Sequence, residues 1–203
     1  MTKTPARLPF GQHSPFAHPV TFATERLRLR PIVLTDAPAV LTIYSDSIVG
    51  KYNSWAPITD LGGARTKIAH FQRQFTEQEL LRWGLARKTD DRIIGDCMII
   101  RIDERSHKAE VGFNLARDCW RQGYMREAAS AIIAYAFQTI GLNRLEGYVI
   151  PENTPSSGLL QRLGFTREGH LREATINEGH YADLELWALL YRDYSGQSPA
   201  KPD

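Results

Sequence analysis

The segment Trp120-Arg121-Gln122-Gly123-Tyr124-Met125-Arg126-Glu127-Ala128 carries the strongest structural signal in this chain. Residues 109–115 precede it and alternate as a strand does, and residues 128–140 follow it with apolar residues at helical spacing. A strand, a glycine turn and a helix in direct succession place free backbone N–H groups at the positive end of a helix dipole. The sequence therefore predicts an anion site, such as a phosphate site, at residues 122–127.

Two common phosphate-binding loops do not fit this segment. A Rossmann loop requires three glycines as G-x-G-x-x-G, whereas this turn contains Gly123 alone. A P-loop requires Gly-Lys-Ser or Gly-Lys-Thr, and neither tripeptide occurs in the chain. A loop that binds phosphate through its backbone, with no evident place for magnesium, suits a pyrophosphate carried by a larger molecule such as coenzyme A.

A second motif begins at Ile150-Pro151-Glu152-Asn153-Thr154-Pro155-Ser156. Three leucines follow on one face of a short helix, and Gly164 suits the C-terminal end of that helix. Asn153 can be the N-cap of this helix, with Ser156 in its first turn. The segment therefore predicts a second helix that starts directly after a strand.

Together the two motifs resemble the acetyl-CoA site of the GNAT N-acetyltransferase superfamily. The first segment resembles its acetyl-CoA loop, and Asn153-x-x-Ser156 followed by Leu163-Gly164-Phe165-x-x-Glu168-Gly169 resembles the second half of the same motif set. The opening Thr24-Glu25-Arg26-Leu27-Arg28-Leu29-Arg30-Pro31 resembles the Rim-type branch, which includes enzymes that acetylate the N-terminal amine of ribosomal proteins. The resemblance spans residues 24–194, and it departs from the family's usual glycine or alanine at Met125.

The resemblance implies a fold, a co-substrate and a set of binding residues. The fold is a single GNAT domain of the α/β (α+β) class, with a mixed sheet of about seven strands, splayed at the cofactor site, and about four helices. The co-substrate is acetyl-CoA. The residues implied to bind it are Val111, Phe113, Leu115, Gln122, Gly123, Tyr124, Met125, Arg126, Glu127, Asn153 and Ser156.

The order of the predicted elements agrees with that fold. It is β-α-α-β-β-β-α-β-α-β-β, an α/β arrangement with a mixed sheet. Leucine and arginine alternate over residues 26–30, which is typical of a half-buried first strand. Thr35 is a candidate N-cap for the first helix, and Thr59 or Asp60 for the second. Asn177-Glu178-Gly179 is predicted to form the turn of a C-terminal hairpin.

Composition narrows the class of protein. The 203 residues suit one domain, predicted at residues 21–194, between a flexible arm at 1–20 and a flexible tail at 195–203. A net charge of +2 without a basic run argues against direct nucleic-acid binding, and no apolar run is long enough to span a membrane. Two cysteines make no disulfide framework, so we expect a cytoplasmic protein. The histidines lack metal-ligand spacing, so we expect no metal. We also expect a monomer or homodimer.

Glu110 is the leading candidate for a catalytic base. It lies on the strand that leads into the loop, on the opposite face from Val111 and Phe113. The alternative is a structural glutamate paired with a neighbouring arginine. Ser156 resembles the family's acid or thiol-positioning hydroxyl, with Asn153 holding the pantetheine amide; helix capping is the alternative for both residues, and the two roles can coexist.

Other candidates are less favoured. Trp55 falls in the loop before the second helix, which often lines the acceptor site in this family, so the resemblance implies that Trp55 and Glu110 bind the acceptor; packing is the alternative for Trp55. Asp183 and His180 lie near the last hairpin and suit turn or surface roles. Cys119 has no adjacent histidine to activate it, which argues against a covalent acyl-enzyme.

The pKa of the acceptor amine bears on its identity. The reference pKa is about 8 for a protein N-terminus and about 10.4 for lysine, so deprotonating lysine costs about 3.3 kcal/mol more. A single evident carboxylate base favours the N-terminal α-amine of a protein or peptide, attacking acetyl-CoA directly in a ternary complex. Two alternatives stay open: a small-molecule amine, such as a polyamine, amino sugar or antibiotic, and a non-catalytic acyl-CoA-binding module.

Overall fold

The computed structural model describes residues 14–53 and 55–195, without the side chain of Ser195. One eight-stranded sheet, with the order β1-β2-β3-β4-β5-β6-β8-β7, forms its centre. The strands are Phe22–Ala23 (β1), Leu27–Arg30 (β2), Leu80–Arg87 (β3), Ile93–Asp103 (β4), Lys108–Leu115 (β5), Arg144–Val149 (β6), Thr166–Asn177 (β7) and His180–Leu190 (β8). The α-helices are Ala37–Tyr44 (α1), Ser47–Gly50 (α2), Leu61–Thr76 (α3), Tyr124–Tyr135 (α4), Thr154–Arg162 (α5) and Tyr191–Ser195 (α6).

The mixed sheet opens between its two central strands. β5 and β6 pair in parallel, but only from Lys108↔Arg144 to Glu110↔Glu146. Beyond that point β5 stays paired with β4 as far as Leu115, and β6 stays paired with β8 as far as Val149. Each strand is therefore held by its outer neighbour while the two diverge, which confirms the predicted splay.

Helices cover both faces of the sheet. Tyr44 of α1 donates a hydrogen bond to buried Asp96 at 2.6 Å, so α1 lies on the face that Asp96 presents. The strand registers place Glu110 on that same face. Gly147 points to the opposite face, because successive strand residues alternate, and a Cβ there would lie 2.8 Å from Leu160 of α5. α5 therefore covers the far side of the splay.

The number of elements exceeds the prediction. Eight strands are present among the described residues instead of about seven, and six α-helices instead of about four. The additional elements are the two-residue β1, the four-residue α2 and the five-residue α6. Elements this short contain less than two periods of the helical or strand pattern, so hydrophobic spacing cannot reveal them.

Two of the predicted helix starts have different outcomes. Asp60 is the N-cap of α3, because its carboxylate accepts the Gly63 N–H at 2.8 Å, as predicted. The prediction of Thr35 as the cap of α1 was wrong. The N-cap is Asp36, the last residue of a 3-10 turn, Leu34–Asp36. Its carboxylate accepts the Val33 N–H and two hydrogen bonds from Arg30.

The chain ends and the C-terminal hairpin complete the fold. Phe16 packs against Phe75 with ring centroids 5.9 Å apart, and Trp83 donates to the Val20 carbonyl at 2.8 Å, so the described part of the predicted arm contacts the domain. Residues 1–13 of that arm and 196–203 of the predicted tail lie outside the described residues. The predicted hairpin turn is present between Asn177 and His180.

Within the described residues, no helix has the length and apolar character needed to cross a bilayer.

Candidate active site

The N-terminus of α4 is an open set of backbone donors. Gly123 is its N-cap, with φ at +80°, and no side chain caps the helix. The first hydrogen bond of the helix runs from the Glu127 N–H to the Gly123 carbonyl at 3.0 Å. The N–H groups of Tyr124, Met125 and Arg126 precede that bond, so they have no partner within the helix. Open backbone donors at the start of a helix are the arrangement that the sequence predicts for an anion site, and they fit a pyrophosphate.

Two predicted loop residues have other contacts. Met125, which departs from the family pattern, is 6% exposed and packs in the core, so its side chain leaves the donor face clear. The backbone N–H of Glu127 is already used inside the helix, and its carboxylate accepts hydrogen bonds from Thr24 and Arg26. Burial opposes ionisation of this carboxyl, but those hydrogen bonds outweigh burial and lower the pKa of Glu127. Glu127 therefore binds the protein rather than presenting a donor to a ligand.

A cavity of about 240 Å³ occupies the splay. It is lined by Tyr52, Asn53, Val111, Gly112, Phe113, Gly147, Tyr148, Val149, Ile150, Asn153, Ser156, Leu160, Thr175, Ile176, Asn177 and Leu184. Four of the predicted site residues, Val111, Phe113, Asn153 and Ser156, meet here, whereas Leu115 is not part of the lining. None of these lining residues has a charged side chain. The cavity can therefore hold an uncharged arm, such as pantetheine, and the uncharged part of an acceptor.

The strand residues around the cavity have backbone N–H and C=O groups without strand partners on the side that faces the splay. β5 has no pairing with β6 after Glu110, so alternate N–H and C=O groups of residues 111–115 face the opening. The same holds for the part of β6 beyond Glu146. Unpaired backbone groups that line a cleft are available to a ligand, which is the reason the splay fits an amide-containing arm.

Glu110 lies at the vertex of the splay, one residue before the cavity lining begins. Its side chain is 14% exposed and accepts two hydrogen bonds from Arg101 Nη1, at 2.8 and 3.1 Å. Arg101 has φ at +51°, and the register of β4 with β5 is irregular between Ile100 and Asp103. A bulge of this kind turns a side chain toward the other face of the sheet, which explains how Arg101 reaches Glu110. The structure thus contains the glutamate–arginine pair considered as the alternative for Glu110.

A second carboxylate lies beside Glu110. Glu146 is its partner across the parallel pair, and Arg144 donates to Glu146 at 2.6 Å. Tyr148 also donates to Glu146, at 3.2 Å, and its ring lines the cavity. Burial, followed by the charge of Glu146, raises the pKa of Tyr148. A phenol with a raised pKa is a poor acid toward a thiolate, so Tyr148 suits a role in lining and orientation.

The N-terminus of α5 closes the cavity on the other side. Asn153 is its N-cap, and the Asn153 Oδ1 atom accepts the Ser156 N–H at 3.4 Å. This cap uses the side-chain oxygen and leaves the amide NH₂ free to donate. The Ser156 hydroxyl makes no hydrogen bond to any residue in the described part of the chain, and it lines the cavity. Both residues can therefore combine the capping role with contact to a ligand.

The predicted acceptor loop contributes residues other than Trp55. Trp55 packs on Tyr44 with ring centroids 4.8 Å apart and does not line the cavity, whereas Tyr52 and Asn53 of the same loop do. The Tyr52 hydroxyl donates to the Glu152 carbonyl at 3.3 Å and so bridges this loop to the start of α5. Sequence analysis missed Tyr52, because an aromatic residue in a loop gives no periodic signal.

The remaining candidates have structural contacts. Asp183 accepts the Glu173 N–H at 2.8 Å and contacts His170 at 2.6 Å, which stabilises the β7–β8 hairpin. His180 begins β8 next to the hairpin turn. Burial, followed by Asp118, raises the pKa of Cys119, which is the opposite of nucleophile activation. No cluster of metal-ligand side chains is found in the described residues.

The chain is similar in sequence to known proteins. Residues 26–166 match the model of the acetyltransferase (GNAT) domain family. The uncharacterized N-acetyltransferase p20 of Bacillus licheniformis is 39% identical over 176 residues, covering 87% of this chain and 99% of that protein. The ribosomal protein uS5-alanine N-acetyltransferase of Escherichia coli is 25% identical over 182 residues, covering 87% of this chain and 93% of that protein.

Solved structures agree on the fold. RimJ of Mycobacterium smegmatis, in complex with CoA-disulfide, has a TM-score of 0.79 and 21% identity, covering 89% of this chain and 91% of that chain. With the match to the family model over more than half of the 203 residues, the chain belongs to the GNAT acetyltransferase family and is an N-acetyltransferase.

Proposed function

We propose that this protein is a cytoplasmic, acetyl-CoA-dependent enzyme that acetylates the N-terminal α-amine of a protein or peptide in a ternary complex. The observation that carries the proposal is the uncharged cavity at the splay, whose lining begins one residue after Glu110 at the vertex. Bound acetyl-CoA would supply an acetyl thioester whose sulfur leaves as a thiolate. The Tyr124, Met125 and Arg126 N–H groups would bind its pyrophosphate.

Glu110 is the proposed base. Its carboxylate is held in one position by Arg101 at 2.8 Å, next to the cavity and on the face where the α2–α3 loop approaches. A water molecule between Glu110 and the acceptor nitrogen would carry the proton to the carboxylate. Ser156 would donate to the departing thiolate through its free hydroxyl, and Asn153 would donate its amide N–H to the pantetheine arm.

The charge of the cleft supports an α-amine acceptor. A polyamine carries several ammonium groups, and the cavity lining has no carboxylate to bind a second one. Two carboxylates that adjoin lining residues in the sequence, Glu110 and Glu146, are already paired with Arg101 and Arg144. An α-amine also costs about 3.3 kcal/mol less to deprotonate than a lysine. The E. coli relative is named for the alanine of a ribosomal protein, which agrees with this class of acceptor.

A labelling assay tests this proposal. The enzyme is mixed with acetyl-CoA and a peptide that has both a free N-terminus and an internal lysine, and tandem mass spectrometry locates the acetyl group. We expect the label on the α-amine. A label found only on lysine contradicts the proposal. Label on neither amine favours one of the two alternatives: turnover with a panel of small amines supports the small-molecule enzyme, whereas tight CoA binding without any turnover supports the non-catalytic module.

A further inference from the structure

Arg26, just before β2, contacts both sides of the glycine turn at the start of α4. Its Nη1 donates to the Gln122 carbonyl at 2.9 Å, and its guanidinium lies 4.4 Å from the centre of the Tyr124 ring. A Cβ on Gly123 would lie 3.3 Å from the Arg26 Nη2 atom. A single side chain therefore contacts the residue before the glycine, approaches the glycine itself, and covers the residue after it.

The same residue is tied to the first turn of α4. The Glu127 carboxylate accepts the Arg26 Nε–H at 2.7 Å and the Arg26 backbone N–H at 2.7 Å. Thr24 adds a hydrogen bond from its hydroxyl at 2.5 Å. Glu127 is 16% exposed, so these are charge-assisted hydrogen bonds in a partly buried place, where they are stronger than at a free surface. Together the contacts connect β2 rigidly to the helix that carries the anion site.

Besides Arg26, the Gln122 side chain supports the turn by donating to the Asp118 carbonyl at 2.7 Å, but the turn's own backbone contributes little. Arg121 and Gly123 both have positive φ, at +60° and +80°, and the helix has no side-chain cap. The three donor N–H groups make no hydrogen bond within the helix, so the loop gains little stability from its own backbone. A site that binds through fixed backbone donors loses affinity when those donors have to be ordered on binding.

We infer that Arg26 is a positioning residue for the pyrophosphate loop, acting through Gln122, Tyr124 and Glu127. It orders the turn before the ligand arrives. Its positive charge also lies beside the anion site, which offsets the negative charge of Glu127 in the first turn of the helix. This assigns a physical role to the Thr24-x-Arg26 sequence, and it rests on the proposal that the loop binds acetyl-CoA.

The test compares two arginines of the N-terminal segment. Arg26→Ala removes the contacts of the side chain with the loop, whereas Arg28→Ala, the matched control, removes an exposed ion pair with Asp91 at 3.0 Å that does not touch the loop. Amide hydrogen exchange of the ligand-free proteins is followed by NMR. We expect the amides of residues 127–130 to exchange faster in Arg26→Ala and to stay unchanged in Arg28→Ala.

Calorimetry with CoA gives the second measurement. We expect Arg26→Ala to weaken CoA binding about 10-fold, the equivalent of about 1.4 kcal/mol, and Arg28→Ala to leave it unchanged. Arg26→Lys keeps the charge but lacks the planar fork, so we expect an intermediate loss, and this variant serves if Arg26→Ala does not fold. Unchanged exchange at residues 127–130, or equal effects of both alanine variants, overturns the inference. Failure of the wild-type protein to bind CoA would contradict the proposed function instead.

Discussion

The two helices that border the splay begin in opposite ways. α4 starts at Gly123, with no side-chain cap and three backbone donors left open, whereas α5 starts at Asn153, whose side chain accepts the Ser156 N–H. α5 follows β6 closely, whereas a 3-10 turn, Arg117–Cys119, separates β5 from α4, and each helix has the positive end of its dipole at its N-terminus. The difference shows how one local motif serves two purposes: the uncapped helix keeps its donors for an anion, and the capped helix presents neutral polar side chains.

The largest expected effect is on the uncapped helix. Gly123→Val places a β-branched residue at φ +80° and a side chain close to Arg26, so the turn has to change its conformation. We expect CoA binding, measured by calorimetry, to be lost while the circular dichroism spectrum stays native. Gly179→Val is the matched control, because Gly179 has φ at +81° and nothing within 4 Å of its Cβ position. Normal CoA binding by Gly123→Val would contradict the loop assignment.

Glu110 lies at the vertex of the splay, on the face of the sheet opposite to α5. We expect Glu110→Gln to lower kcat by about 10²–10⁴, the loss typical of a missing general base, and to leave the CoA dissociation constant unchanged. Ser156→Ala should cost less, because a thiolate with a pKa of about 8.5 is a tolerable leaving group without an acid. Steady-state kinetics with the peptide of the labelling assay measures both.

Glu77→Gln is the control for Glu110→Gln, because Glu77 also pairs with an arginine, Arg73, but on the surface of α3. Its activity should equal that of the wild type. Full activity of Glu110→Gln across the pH–rate profile would exclude Glu110 as the base and leave the pair with Arg101 as a structural contact.

The capped helix should respond in two smaller ways. Asn153→Ala removes an N-cap, so we expect the free energy of unfolding to fall by roughly 0.5–2 kcal/mol in urea titrations. It also removes the proposed amide donor, so we expect CoA to bind about 3- to 10-fold more weakly, as for one lost hydrogen bond. Asp60→Ala, at the N-cap of α3, should reduce stability in the same way without changing CoA affinity. If Asn153→Ala also keeps its CoA affinity, the residue is a cap alone.

Acid should affect the first turn of α4 but not that of α5. The pKa of Glu127 lies below the ordinary glutamate value of 4.5, so Glu127 stabilises the fold above that pH, and the contribution is lost as the pH falls through its lowered pKa. The stability difference between the wild type and Glu127→Gln should therefore be present at neutral pH and shrink on acidification below 4.5. The corresponding difference for Asn153→Ala should not depend on pH, because an amide cap does not titrate. If the stability difference for Glu127→Gln did not change with pH, the ionised carboxylate of Glu127 would add nothing to the stability of the fold.

Predictions from the sequence are accurate where neighbouring residues control the conformation. The glycine turn, the Asp60 and Asn153 caps and the hairpin after Asn177 all follow from side chains and φ angles within a few positions. Thr35 shows the limit of such local signals. Asp36 takes the cap position instead, and its carboxylate binds Arg30 and the Val33 N–H rather than α1, contacts that a capping pattern does not contain.

The contacts between distant segments required the folded chain. The sequence indicated an anion loop, a strand with Glu110 and a capped helix, since each is a local pattern of periodicity and turn residues. A pair between Glu110 and an arginine was one alternative, but the local patterns did not identify Arg101 or the bulge that brings it to Glu110. They also did not indicate that Arg26 would reach a loop almost a hundred positions later. Such pairs depend on strand register and on the packing of α4 against the sheet, and these arise from the cooperative burial of the whole core rather than from any segment alone.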